Sequence, residues 1–257
     1  MNAADIIAAL EIPASARVDQ RVPKKLVVEK RAPTAADKRR INEGIDEIQW
    51  VAALKPGTIG VAEYRDDVRE YIEIAVLSVV LRPDAEPVRL TELLHRAVPY
   101  PAVVITEQTS RISVSLAHKR RSQGEADKVV VDGELVIGEI ESARDGAFER
   151  PFLEALALVR QPAATLYSVY QGWMDVVSSL QVAKVTGSFA MAATTGGAQV
   201  RREALAQCAE LETRMAALRG AAMRENQMAR QVDLNLELKR LEAAHSTARA
   251  RLEPKAI

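Results

Sequence analysis

The last fifth of the chain constrains its fold most. Between Ala204 and Leu252, apolar residues return at alternating steps of four and three. Ala204, Cys208, Leu211, Met215, Leu218 and Ala222 make one run; Leu234, Leu238, Leu241, His245, Ala248 and Leu252 make another. This is the a/d spacing by which one helix packs on another. The runs are out of phase, and the RENQMARQVD segment between them is polar. A helical hairpin turning at that segment fits better than one rod, although a continuous helix with a stutter has the same spacing.

Upstream, the pattern is mixed. Ala3–Leu10 carries Ile6, Ile7 and Leu10 on one helical face and stops at Pro13. Arg21–Lys25 is a basic turn. Thr34 followed by Asp37 is a helix start, and Ile41, Ile45, Ile48 and Val51 then recur at helical spacing, so a helix is expected over Ala35–Leu54. Glu70–Leu81 is β-branched and becomes continuously apolar, which suits a strand buried on both faces. A short helix over Val88–Ala97 and strands over Ala102–Glu107 and Arg111–His118 follow, the strands joined by a hairpin loop at Gln108–Ser110. In the latter strand Ile112, Val114 and Leu116 alternate with Ser113 and Ser115. Val129–Val131 and Leu135–Glu141 are expected as two further strands turning at Asp132-Gly133. Phe152–Val159 and Thr165–Val185 are helical, and Ser188–Gln199 is small and uncharged, as a linker is. The expected organisation is α+β: a module over 1–146 with a mixed sheet and packed helices, a helical connector over 147–187, a linker over 188–199 and a helical hairpin over 200–257.

Composition excludes several functions. Lys+Arg and Asp+Glu balance at 35 each, so the surface as a whole is no nucleic-acid magnet. Aromatics at 4% argue against base-stacking platforms. A single cysteine, Cys208, allows neither an internal disulfide nor a cysteine zinc site. The N-terminus has no basic region leading into an apolar one, and no stretch is long and apolar enough to span a bilayer, so a cytoplasmic protein is expected.

No compact catalytic motif stands out. Glu107 and Lys119 are laid out something like the acid-plus-lysine pairs of metal-dependent nucleases, with Glu73 or Glu92 as a second carboxylate, but without the compact spacing. His95 is a candidate base, or a ring that structures the Pro-Tyr-Pro turn. His118, Lys119, Arg120 and Arg121, with Lys24 and Lys25, are the candidates for DNA-backbone contact. No two histidines have metal-ligand spacing, and no cofactor motif is present; Gly196-Gly197 lacks the Lys-Ser/Thr of a phosphate loop.

Five blocks carry a family resemblance: Arg21–Lys25; Ile48-Gln49-Trp50 with Leu54-Lys55-Pro56; Leu94–Pro101 (LHRAVPYP); Ser115–Arg120 (SLAHKR); and Glu225–Gln227 running through Arg230–Lys239. The chain resembles, over nearly its whole length, the bacterial family catalogued as domain of unknown function 4391. The resemblance implies a gene neighbourhood of DNA helicases and DNA methyltransferases in restriction-like or antiphage loci. It implies no catalytic residues. The expected role is a non-enzymatic accessory subunit that bridges such a helicase or methyltransferase and touches DNA. Its partner surface is expected at Leu211, Met215, Leu218, Asn226, Arg230, Leu234, Asn235, Leu238 and Leu241. A metal-dependent nuclease using Glu107 and Lys119, and a structural protein that forms a homodimer, are the alternatives.

Overall fold

The computed structural model describes residues 1–31, 34–122, 124, 129–141 and 146–253. The chain divides into two compact units, Met1–Leu180 and Gln181–Ile257. The architecture is α+β, with a mixed sheet in the first unit and helices in the second.

In the first unit six strands form one sheet: β1 (Arg17–Arg21), β2 (Ile45–Leu54), β5 (Ile74–Leu81), β6 (Ala102–Gln108), β7 (Arg111–Arg121) and β8 (Val129–Glu141), adjacent in that order. Strands β3 (Tyr64–Arg65) and β4 (Glu70–Tyr71) make a separate small hairpin. Among the described residues only β5 and β6 run parallel; helix α5 (Pro87–Ala97) makes the crossover between them. Side chains of β5 explain its continuous apolar run. Ala75, Leu77, Val79 and Leu81 face a core shared with α2 (Lys24–Arg31), α3 (Ala35–Gly44) and α5. Ile74 and Val76, equally buried, alternate with them.

The helices α1 (Ala3–Ala9), α6 (Gly146–Leu156) and α7 (Leu166–Thr186) supply further cover. Asn2 and Asp5 close a capping box on α1. The backbone of α1 also borrows a carboxylate from β6, since Glu107 accepts the Ala3 amide at 3.2 Å. Trp173 donates to the Leu156 carbonyl, and Tyr170 donates its hydroxyl toward Ala102 and Ala117. Gly138 lies where a Cβ would meet Val177 and Leu180, so β8 and α7 approach closely there.

Two expectations about the sheet are corrected. The helix expected over Ala35–Leu54 ends at Gly44, and Ile45–Leu54 is strand β2. Its pairing with β5 slips twice, between Ile45 and Glu47 and between Trp50 and Ala52. Each bulge inserts a residue and breaks the alternation. Buried Ile45, Ile48 and Val51 are thereby spaced by three, which imitates a helical stripe. The turn expected at Asp132-Gly133 is instead a bulge inside one strand: Leu116 opposes Val136 and His118 opposes Asp132, with Gly133 at φ +77° taking the left-handed step.

The second unit contains α8 (Thr195–Arg224) and α9 (Met228–Ala250), joined by Glu225–Gln227. Thr194 caps α8 through its hydroxyl, with Gly196 and Gly197 in the first turn, so the linker expected over 188–199 gives way to helix from Thr195, where the cap starts it. The helices pack along the expected seam. Ala204, Cys208, Leu211 and Met215 meet Leu241, Ala248 and Leu252, with Leu218 and Leu238 partly buried at its edge. Arg219–Glu242 and His245–Glu212, both at 3.0 Å, flank it.

Candidate functional site

A trough of about 470 Å³ lies on the α2/α5 side of the sheet. Its floor is apolar: Ile48 and Trp50 from β2, Ala75 and Leu77 from β5, and Leu94 and Ala97 from the last turns of α5. Leu26 and Val27 of α2 form one wall and Val98-Pro99-Tyr100 the other; Gln20, Arg21, Val22 and Pro23 edge the mouth. Local chemistry sets these positions. Pro23 lies just before α2, and Lys24 spans from α2 to the start of β2, donating to Ile45 O at 2.6 Å. Trp50 spends its indole N–H on Ala52 O at 2.8 Å, leaving the ring face to the trough.

Three family-like blocks, Arg21–Lys25, Ile48–Trp50 and Leu94–Pro101, contribute directly to this trough. The SLAHKR block on β7 supports it from beneath. Lys119 is buried and donates to the carbonyls of His95 and of Val98, the latter at 3.1 Å. These are the last carbonyls of α5, which an ammonium satisfies well. Ser115 bonds the His95 imidazole at 2.9 Å. His95 is fully buried, and its pKa is pulled down to about 3, mainly by burial and then by the Lys119 charge. The ring is therefore neutral and structural, an anchor for the α5–Pro-Tyr-Pro corner.

The basic strand end is absorbed internally. His118 lies between the Tyr71 hydroxyl and Gln171, stacked on Tyr167. Tyr64, Tyr71, Tyr167 and Tyr170, four of the chain's five tyrosines, gather around it. Burial pushes the Tyr71 and Tyr170 hydroxyls well up, so both stay protonated donors. Arg120 reaches Asp132 at 3.5 Å, Arg69 reaches the same carboxylate at 2.6 Å, and Arg121 faces Glu70 at 3.7 Å. Lys25 pairs with Glu29 at 3.5 Å.

Glu107 and Lys119 do not meet. Glu107 opposes Ile112, and Lys119 lies seven residues further along β7, about 24 Å away at the rise of a strand. Glu73 pairs with Lys55, and Glu92 with Arg89 and Arg96. Among the described residues no three His, Cys, Asp or Glu side chains gather as a metal site would require. In the hairpin, Leu211, Met215 and Leu241 are buried in their own seam, Leu218, Leu234 and Leu238 are half-buried, and Asn226, Arg230 and Asn235 are exposed. The apolar partner surface expected there is thus largely occupied by the hairpin itself. The trough went unread because its walls come from segments far apart in sequence; the clustering of family-like blocks was the signal that could have found it.

The sequence model of the family described as Domain of unknown function (DUF4391) matches residues 10–244, and the chain belongs to that family. No curated protein and no solved structure matches it.

Proposed function

We propose that this family member is a non-catalytic docking subunit whose trough receives a segment of a larger protein. The observation that supports this is the meeting of four family-like blocks at one apolar, open depression, three lining it and one bracing its wall. Pockets of this volume, with an apolar floor and few polar groups, are common binding sites. The gene neighbourhood that the family resemblance implies makes a DNA helicase or DNA methyltransferase of a defence system the partner we favour, met in the cytoplasm. The nuclease reading loses support from the distance between Glu107 and Lys119. Direct DNA contact loses support from the inward turn of Lys24 and Lys119 onto backbone carbonyls and from the pairing of Arg120 with Asp132.

Affinity purification from the native host tests this. The wild-type chain should retain a helicase or methyltransferase identified by mass spectrometry. Leu26→Asp, a change at an exposed wall residue, should lose it while keeping its circular dichroism. Absence of such a partner with wild type, or full retention by Leu26→Asp, refutes the reading.

A further inference from the structure

We propose that the trough takes an extended acidic segment: a bulky apolar side chain enters the floor while a neighbouring carboxylate meets Arg21. This rests on the docking reading above and narrows it to one partner chemistry. Among the described residues, Arg21 is the only ionic one lining the trough. Its side chain is 72% exposed, and its nearest acid, Glu47, stands off at 3.9 Å, beyond hydrogen-bond reach. Gln20 and Tyr100 add an amide and a phenol to the same lining. Lys25, 81% exposed on the next helix, lies outside the lining and pairs with Glu29, and Lys24 is turned inward onto backbone carbonyls, which leaves the ionic recognition to Arg21. A carboxylate entering here competes with Glu47, which holds its cation loosely. Such exposed pairs are weak and readily exchanged. A guanidinium also matches a carboxylate with two parallel donors.

The floor has a different requirement. With the Trp50 N–H already used, it offers ring faces and aliphatic surface, hence recognition of an apolar side chain. The trough is open along its mouth, so an occupant keeps one side in water, as a peptide backbone does. Strand addition at the sheet edge is less suited: β1 is short, charged and bulged near Asp19, which has φ +50°.

The test uses the whole chain and a fluorescein-labelled decapeptide centred on Asp-Leu-Phe-Asp, followed by anisotropy at low and physiological salt. Controls carry Lys for both Asp residues, or Ala for Leu and Phe. The acidic apolar peptide should bind at least about tenfold more tightly than either control, with the preference over the lysine peptide shrinking as salt rises. Arg21→Lys should keep that ranking, and Arg21→Glu should invert the acidic-versus-basic preference. Equal binding of acidic and basic peptides, an unchanged ranking in Arg21→Glu, or no saturable binding of any peptide overturns the proposal. The two readings fail separately. A native partner lost with Leu26→Asp, but with no charge preference in the peptides, sinks the acidic chemistry alone. A native partner kept by Leu26→Asp sinks docking itself.

Discussion

A buried ammonium group must find acceptors, and Lys119 finds them at the end of a helix rather than in a carboxylate cluster with Glu107. Replacing it with Met should leave the His95 and Val98 carbonyls short of a donor and cost about 1–3 kcal/mol, read as a lower urea midpoint. The same change removes the nearby charge that depresses His95, so the imidazole should titrate at higher pH in Lys119→Met. His95 also gives a pH dependence of defined sign. Its folded value, about 3, lies below the ordinary 6.5, so the unfolded chain binds the extra proton between those limits. This contribution is complete above about pH 6.5 and declines as pH falls toward 3, by up to roughly 1.4 kcal/mol per unit. Urea midpoints at neutral and mildly acid pH should therefore diverge more in wild type than in His95→Asn. Elsewhere, Gly172 is held by contact rather than conformation: an added Cβ would lie 2.5 Å from the Gln161 oxygen and 2.7 Å from Pro162. Gln161 is itself fixed by bonds to the Ala155 and Ala157 carbonyls. Gly172→Ala should destabilise the fold by about 1–3 kcal/mol.

At the level of elements, the two ends of the hairpin differ. Near its open ends, Ala204, Cys208, Ala248 and Leu252 are buried together, whereas Met223, Met228, Val232 and Leu236 near the turn are exposed. Amides of 228–238 should accordingly exchange faster than those of 241–250 in hydrogen-exchange mass spectrometry; equal protection would contradict the burial pattern. This hairpin was legible because its signal is local, a repeated four-three step within each helix. Thr34 as a cap, β5 as a doubly buried strand and the β6–β7 hairpin were legible for the same reason. Strand β2 was not, because two bulges rewrote its period. The trough was not either: Arg21, Trp50 and Tyr100 come together only through sheet pairing and the packing of α2 and α5, which no spacing along the chain encodes.

For the whole molecule, zero formal charge coincides with the internal engagement of three cations that sequence alone assigned to DNA: Lys24 and Lys119 on backbone carbonyls and Arg120 on Asp132. Nucleic-acid affinity built on backbone contacts needs cations free to displace counterions. Mixed-sequence duplex DNA should therefore fail to shift in gel retardation at physiological salt, and Arg120→Ala with Arg121→Ala should lower thermal stability rather than change that result. Tight binding with a steep salt slope would require a nucleic-acid role that docking does not provide. Both tryptophans, Trp50 and Trp173, fall in Met1–Leu180, and the single cysteine falls in Gln181–Ile257. Cys208 is buried in the hairpin seam, and burial raises its thiol pKa, so it resists modification until the helices part. The chain thus comes with two built-in reporters that do not overlap. Indole emission follows the sheet-bearing unit, and the rate of reaction with a thiol reagent clocks the opening of the helical one, with no label introduced.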